Sequence, residues 1–464
     1  MVCYDSHGLL LALLVVYFPY EPRGRSRVLL FPLQTRKRGV ALNKRGRPAN
    51  PFKRISAVSL LRLVGVVILG ILTLQVLTVA VLLVIAALGK RRQHEVSFPH
   101  HLFEEVPVGE NSLQLYAYGR DLYDAMLQAI DAAHESIYLE TYIWKADAVG
   151  QEFQERLARK AEQGVAVFVI FDSFGNLVVP ATFKSSFHPA IHVLEYRGIR
   201  RPWHLLDPGH YALDHRKILI VDGTIGFIGG YNLGSLYATE WRDTHLAVRG
   251  PGAAELARAF IGFWNRFCPA HERITQRYPH QFDALITISQ NETMRAAFPI
   301  RDLYIAAIDQ AEHSILLTTA YFIPDHMLVN ALKEAVSRGV DVRVLVPWQS
   351  NHVVADWMAH SYFTDCLKSG IRIFGYRYTM LHAKTCTIDG QWSTVGTCNL
   401  DRLSLVGNYE INLAVYSTAF AQHMSALFAE DTAERFELTM EQWESRRWSR
   451  KVSEHILAPL RFLM

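Results

Sequence analysis

A chain of 464 residues is long enough for one large or two medium domains with accessory segments, and half of its residues are hydrophobic. Its formal charge of +4 is uneven: residues 1–54 carry eleven Lys/Arg against Asp5 and Glu21, a net of +9, leaving −5 for residues 55–464. The pI of 8.7 therefore describes a basic arm, and gives no support to a nucleic-acid-binding body. In chain order, residues 1–55 read as this basic arm, expected to be poorly ordered. Its apolar stretch Gly8–Tyr20 is short for a span, is stopped by Pro19 and Glu21-Pro22, and is followed by no A-x-A-like cleavage site. Leu63 to Leu88 then runs for 26 positions without a charged residue. As a helix it would extend about 39 Å at ~1.5 Å per residue, enough to cross a hydrocarbon core of about 30 Å. Residues 56–92 are accordingly predicted as a single transmembrane helix with basic flanks (Lys53, Arg54, Arg62; Lys90, Arg91, Arg92). The basic excess before Leu63 favours a cytoplasmic N-terminus, and the cluster after it pulls the other way.

Beyond residue 95 the chain repeats itself. Asp121-Leu122-Tyr123 opens an amphipathic helix leading to an apolar β-type run, Ile137–Trp144; a helix from Gly150 to Gln163 ends at Gly164, and Val165–Phe171 reads as a buried strand. The second half answers with Asp302-Leu303-Tyr304, Ile315–Phe322, a helix from Asp325 to Arg338 closed by Gly339, and Val340–Val346. Helices alternating with continuously apolar strands predict α/β units with sheets covered on both faces. A long unit occurring twice predicts pseudo-twofold lobes, residues 95–275 and 276–442, followed by a basic amphipathic segment, 443–464, that suits either a membrane interface or domain packing. The five cysteines (Cys3, Cys268, Cys366, Cys386, Cys398) form no CxxC pair and read as free thiols.

The chemistry-bearing pattern is His-x-Lys followed after four residues by Asp. It occurs as His215, Lys217 and Asp222, and again as His382, Lys384 and Asp389. Glycine follows each Asp by seven residues (Gly229, Gly396) and asparagine by ten (Asn232, Asn399); Asp243 and Glu410 each stand 28 residues beyond their histidine. Each Asp-Gly joins two apolar runs, a strong hairpin signal. Two registered copies predict one active site built from two halves. A histidine can attack phosphorus and carry it covalently, and a second can protonate the leaving alkoxide and deprotonate the incoming alcohol. Lys217 and Lys384 would hold phosphate oxygens, with Asn232 and Asn399 donating neutral hydrogen bonds. Asp243 and Glu410 suit carboxylates that orient the histidine rings. Asp222 and Asp389 belong to the catalytic motif but stand at strand ends, where they are expected to brace loops. No histidine cluster has metal-binding spacing, so neither metal nor cofactor is expected. His204, His210, Arg197, Arg200 and Arg201 are weaker candidates, and Tyr142, Trp144, Tyr321 and Trp348 could line the cleft.

These motifs resemble the phospholipase D superfamily, whose signature HxK(x)4D(x)6GSxN is duplicated, and within it the bacterial cardiolipin synthases. The similarity covers residues 95–464 and is strongest over His382–Glu410, including Gly396-Thr397-Cys398-Asn399-Leu400-Asp401 and Asn408-Tyr409-Glu410. The resemblance implies two α/β/α lobes of the phospholipase D type after an N-terminal transmembrane helix, one histidine from each lobe at a shared cleft, and no metal. It further implies His215 as nucleophile and His382 as acid/base. Gly230 departs from the pattern where the family has Ser; Thr397 keeps the hydroxyl in the second copy. The implied function is a membrane-tethered phosphatidyltransferase of the bacterial plasma membrane that joins two phosphatidylglycerols into cardiolipin and releases glycerol. Its partners would be anionic phospholipids and the membrane, with no nucleic acid expected and the oligomeric state open. A hydrolase of phospholipids, a nuclease and a non-catalytic membrane adaptor are the rivals. The absence of a long basic, aromatic-interleaved stretch argues against the nuclease, and the presence of both His-Lys pairs against the adaptor.

Overall fold

The structure is a computed structural model that describes scattered positions between 65 and 80, Phe98, and residues 100–446 apart from 200, 201, 207, 282, 434 and 435, with Lys451 beyond. The basic arm 1–55, most of 56–92, Cys3, Arg200, Arg201 and most of 443–464 lie outside the described residues. Every described position from 65 to 80 is helical, but among the described residues no helix is long and apolar enough to cross a membrane.

The chain beyond residue 100 is built on two mixed eight-stranded sheets. The first contains β1 (Val106–Val108), β2 (Asn111–Tyr116), β3 (Ser136–Thr141), β4 (Ala166–Asp172), β5 (Ile191–Tyr196), β6 (Ile218–Val221), β7 (Ile225–Gly229) and β8 (His245–Arg249), in the order β1-β2-β8-β7-β6-β3-β4-β5. The second half supplies β9 (Ile286–Gln290), β10 (Ser314–Thr318), β11 (Phe322–Ile323), β12 (Asp341–Pro347), β13 (Arg372–Tyr376), β14 (Thr385–Ile388), β15 (Trp392–Gly396), β16 (Leu400–Asp401), β17 (Ile411–Tyr416) and β18 (Phe436–Glu437). Its sheet order, β18-β13-β12-β10-β14-β15-β17-β9, reproduces β5-β4-β3-β6-β7-β8-β2 once β18 is set aside. Pairing senses match as well: β3–β4–β5 and β10–β12–β13 are parallel, whereas β3–β6–β7–β8 and β10–β14–β15–β17 are antiparallel. β11 and β16 pair separately as a short parallel ladder.

Local chemistry explains the elements. Helix Ala148–Glu162 starts at Asp147, whose carboxylate accepts from the Gly150 N–H at 3.1 Å, and helix His326–Ser337 starts at Asp325, which accepts from Leu328 N–H at 2.9 Å. Gly164 and Gly339, at φ of 89° and 92°, take the left-handed position past each helix, and the next strand begins within two residues. At the hairpins Asp222-Gly223 and Asp389-Gly390 all four residues are left-handed, the geometry of a two-residue turn matching strand twist. Each of these Asp carboxylates also accepts three backbone N–H groups: Asp222 from His134, Glu135 and Ser136, Asp389 from Glu312, His313 and Ser314, all at 2.7–2.8 Å. They staple the loop before β3 or β10 to the hairpin tip. Burial alone would raise the Asp389 carboxyl, but those donors hold it below its ordinary value.

One apolar core runs through both lobes. Leu246, Val248 and Ile228 of the first sheet share a cluster with Val395, Ile411 and Leu413 of the second and with Phe260, Phe263 and Trp264 of helix Pro251–Phe267. The halves therefore pack as one body. A buried ion pair locks them: Arg242 donates to Asp431 of helix Thr418–Ala433 through Nε (3.0 Å) and Nη2 (2.7 Å). Burial pushes the Asp431 carboxyl up by more than Arg242 pulls it down, so the pair fixes geometry more than it adds net stability. Removing one partner strands the other charge. Asp431→Ala is expected to lower the unfolding free energy by about 3–5 kcal/mol, measured by denaturant titration; a loss under about 1 kcal/mol would contradict the clamp. The described part of the C-terminal segment packs inward: Trp443 is buried and its indole N–H donates to Thr364 Oγ1 at 2.8 Å.

Candidate active site

The residues His215-Arg216-Lys217 and His382-Ala383-Lys384 immediately precede β6 and β14 and lie outside the sheet ladders. Their backbones pair across the lobes. His215 N–H donates to Tyr409 O (3.0 Å) and Tyr409 N–H to Leu213 O (2.9 Å); His382 N–H donates to Arg242 O (2.7 Å) and Arg242 N–H to Met380 O (3.0 Å). The two ribbons are copies of one another related by exchange of the lobes. Each histidine is thereby held against the segment carrying the other lobe's carboxylate.

Equal sequence spacing invites pairing each carboxylate with the histidine of its own repeat, and the structure crosses them. His215 Nδ1 lies 2.9 and 3.0 Å from the two oxygens of Glu410, and His382 Nδ1 lies 2.6 Å from Asp243 Oδ2. Both carboxylates are fully buried and both imidazoles are nearly so. With Nδ1 committed, Nε2 is the nitrogen left for chemistry in each ring. The Tyr142 ring stands edge-on to His215 at 4.9 Å, and Trp241, a neighbour that the motif gave no reason to select, packs on His382 at 5.3 Å. Of the other aromatic candidates, Trp144 donates to Gly150 O, Tyr321 to Asn351 Oδ1, and Trp348 packs on Phe436.

The lysines enter from beside the histidines. Lys217 Nζ donates to His215 O at 2.6 Å and lies over the Tyr142 ring; Lys384 Nζ donates to His382 O. Burial lowers Lys217 to about 7 and Lys384 to about 8. Burial also lowers both imidazoles, with the ammonium groups adding to the effect: His382 falls to about 3, and His215 lies well below its ordinary value. Lys384 acts on His215 and Lys217 on His382, so the two half-sites share one electrostatic pocket. A bound phosphodiester anion would favour the charged lysines in return.

The carboxylates differ. Burial would raise Asp243, but Lys384 and His382 outweigh it and hold the carboxyl below its usual range. Burial raises Glu410 to about 8 against the pull of Lys217 and the Thr397 hydroxyl, which donates to Glu410 Oε2 at 2.5 Å. At the position matching Thr397, a Cβ on Gly230 would collide with the Asp243 carboxylate. The shorter acid is drawn back against the backbone, and this accounts for the missing hydroxyl. Gly396 is needed for a similar reason, since a Cβ there would overlap Asn412.

Asn232 and Asn399 are positioned by matching parallel bridges, Trp144–Leu233 and Phe322–Leu400. Asn232 Oδ1 accepts from Ile143 N–H at 3.1 Å, whereas Asn399 Oδ1 is buried without a protein partner. Asp222 and Asp389 do not join this group. They stand five residues beyond Lys217 and Lys384, about 16 Å along a strand rising ~3.3 Å per residue, and their oxygens are filled by backbone donors. The motif aspartates are loop braces and leave the reacting set. His204 and His210 stack on each other at 3.7 Å and share Gly198 O. Among the described residues no group of three or more His, Cys, Asp or Glu is placed to hold a metal ion.

Sequence reasoning missed a buried charged triad. Arg216, between the motif His and Lys, donates to Glu140 and, at 3.3 Å, to Asp214 Oδ1, and lies on Phe263. Thr318, Leu381 and Ala383 occupy the matching places in the second lobe, so only the His215 side carries these charges.

Comparison with known proteins matches this geometry. Residues 126–264 and 304–432 match the family described as "Cardiolipin synthase, PLD-like domain". The chain belongs to this branch of the phospholipase D superfamily. It is similar to the major cardiolipin synthase ClsA of Bacillus subtilis (strain 168), 30% identical over 375 residues that cover 77% of this chain and 75% of that protein. It is also similar to cardiolipin synthase A of Pseudomonas aeruginosa (strain LESB58), 31% identical over 357 residues, 73% of this chain and 71% of the other. In fold it is similar to a phosphatidylserine synthase of Haemophilus influenzae Rd KW20, with a TM-score of 0.60, 13% identity, and coverage of 78% of this chain and 94% of that one. The two matched stretches, 126–264 and 304–432, contain the first and the second half-site respectively.

Proposed function

We propose that the protein is a phosphatidyltransferase that makes cardiolipin from two phosphatidylglycerol molecules through a phosphohistidine. The observation that carries this reading is the crossed pair of buried imidazoles, each tied through Nδ1 to the other lobe's carboxylate, with a buried lysine beside each. His382, neutral before substrate binds, takes up a proton as the phosphodiester anion enters and favours its charged form. His215 Nε2 then attacks phosphorus, the bond to the glycerol headgroup breaks, His382 gives that proton to the departing alkoxide, and glycerol leaves. The headgroup hydroxyl of a second phosphatidylglycerol then gives its proton to His382 while its oxygen displaces the histidine nitrogen. Asp243, held low, suits a ring that must take up a proton, and Nδ1–H of a neutral His215 donating to Glu410 leaves the Nε2 lone pair free to attack. Names of the similar proteins favour cardiolipin as product.

A membrane tether at 63–88 fits this substrate. Described helix positions Val66, Val67, Leu69, Leu74 and Leu77 are exposed and apolar, and the Thr73 and Thr78 hydroxyls donate to the carbonyls four residues back, at 2.8 Å, without needing water. Lobes at 95–275 and 276–442, joined to such a span in a bacterial plasma membrane, complete the proposed organisation. The test is purified full-length protein in phosphatidylglycerol vesicles, with lipid products read by mass spectrometry. Cardiolipin and glycerol in equal amounts are expected; phosphatidic acid alone would replace the transferase with a hydrolase.

The lysines also predict a pH dependence. Their folded values lie below the ordinary ammonium value, so protons are lost as pH rises through about 7 to 8, and kcat/KM should decline over that interval. Lys217→Arg keeps its charge and removes the lower of the two deprotonations, so the decline should begin nearer 8, whatever its effect on the maximum. A profile flat from pH 7 to 9 in the wild type would contradict the assignment.

A further inference from the structure

Six of the twelve exposed large apolar side chains among described residues beyond 97 fall in two short loops of the first lobe. Phe174, Leu177 and Val178 follow β4; Ile199, Trp203 and Leu206 follow β5, with Trp203 60% and Leu206 87% exposed. β4 and β5 are parallel neighbours whose last residues, Asp172 and Tyr196, are register partners, and Ser173 N–H donates to Tyr196 O at 2.9 Å. Both loops therefore leave the sheet at one end.

That end is the active-site end. Asp172 Oδ2 accepts from the N–H of Asp214, the residue before His215, at 2.9 Å. Asn176 Nδ2 donates at 2.9 Å to the carbonyl of Tyr142, whose ring packs on His215. The loop bases are firmly built. Asp172 Oδ1 accepts from Phe174 N–H (2.7 Å) and Gly175 N–H (2.9 Å), and Gly198 O is shared by the stacked His204 and His210. Leucines and a tryptophan held out to solvent on ordered bases are a poor arrangement for water and a good one for a lipid interface.

We propose that these two loops seat the rim of the His215 half-site in a phospholipid bilayer surface, so that a lipid headgroup reaches the imidazole without its acyl chains leaving the membrane. This rests on the phospholipid reading of the site and adds its docking surface.

The test uses full-length protein with Leu177→Ser and Leu206→Ser combined, compared with the wild type on two substrates. One is phosphatidylglycerol in phosphatidylcholine vesicles; the other is a short-chain phosphatidylglycerol below its micelle concentration. Turnover on vesicles at low surface concentration is expected to fall at least tenfold, with the soluble substrate affected less than twofold. Equal losses on both would mark the loops as merely structural, and no loss on either would remove the proposal. Independently of turnover, a nitroxide on Leu206→Cys should become accessible to oxygen and shielded from an aqueous quencher in phosphatidylglycerol vesicles. A label that stays aqueous there, or that is immobilised in a concentration-dependent way in detergent by a second copy, would overturn the docking. Membrane insertion of the label in a protein that turns over neither substrate would instead sink the transferase reading and leave the docking surface standing.

Discussion

His382→Ala is expected to abolish cardiolipin formation from phosphatidylglycerol and to trap a phosphohistidine only with a substrate whose leaving group needs no acid. The acid is needed where the leaving group is a poor one: glycerol departs as an alkoxide and requires a proton, a contribution of about 10²–10⁴-fold. With an aryl phosphodiester, whose phenolate leaves unaided, the first step should proceed in the variant, and the phosphoryl group should accumulate on His215 because no base activates the acceptor. Intact-protein mass spectrometry and peptide mapping would read the adduct. His215→Ala should give no adduct with either substrate and lose roughly 10⁴-fold or more in turnover, as loss of a nucleophile does in other covalent enzymes. Adduct on His382 in the His215→Ala protein would reverse the two roles. Adduct on neither ring, in either variant, would end the covalent mechanism.

The second large effect separates the two carboxylates. Asp243→Asn keeps the shape but removes the charge beside His382, and an amide can impose the wrong tautomer on the ring; a loss of about 10²–10⁴-fold in kcat is expected. Glu410→Gln replaces a group that burial already keeps largely protonated at neutral pH, so its loss near pH 7 should be smaller, about tenfold. The sign of the pH dependence follows from the raised value. Below about 8 the wild-type Glu410 is neutral like the amide; as pH rises through about 8 it acquires a charge that Gln cannot, and the wild-type to variant ratio should change there. Equal losses for both variants at pH 7, with a ratio independent of pH, would refute the asymmetry between the half-sites.

Much of this site is legible in the residues. Spacing alone picks out both histidines, both lysines, both asparagines and both buried carboxylates, because a duplicated motif preserves offsets. The hydrophobic runs that follow Gly164 and Gly339 place β4 and β12 to within one residue, whereas the runs starting at Ile137 and Ile315 end sooner as ladders: β3 stops at Thr141 and β10 at Thr318, where the chain turns to form the Trp144 and Phe322 bridges. What spacing cannot show is partnership across the dyad. Offsets describe distance along one repeat, whereas His215 finds Glu410 only because the Asp214–Tyr409 and Arg242–Leu381 bridges bring opposite repeats together. Packing residues were hidden for a related reason. Nothing local to Arg242 announces Asp431, 189 residues later, and the Glu140–Arg216–Asp214 triad is assembled from a strand and a loop that are distant in sequence.

The exchange of carboxylates also bears on how such a chain arose. A single-repeat ancestor folding alone would have held its histidine without the acid that orients it, and would have been silent. Its chemistry could exist only at the axis of a homodimer, at concentrations where two copies meet. In a single chain that dilution limit is gone, and the two copies are free to differ. Gly230 beside Asp243 and Thr397 beside Glu410 are where the two halves differ, one acid held below its usual range and the other raised above it.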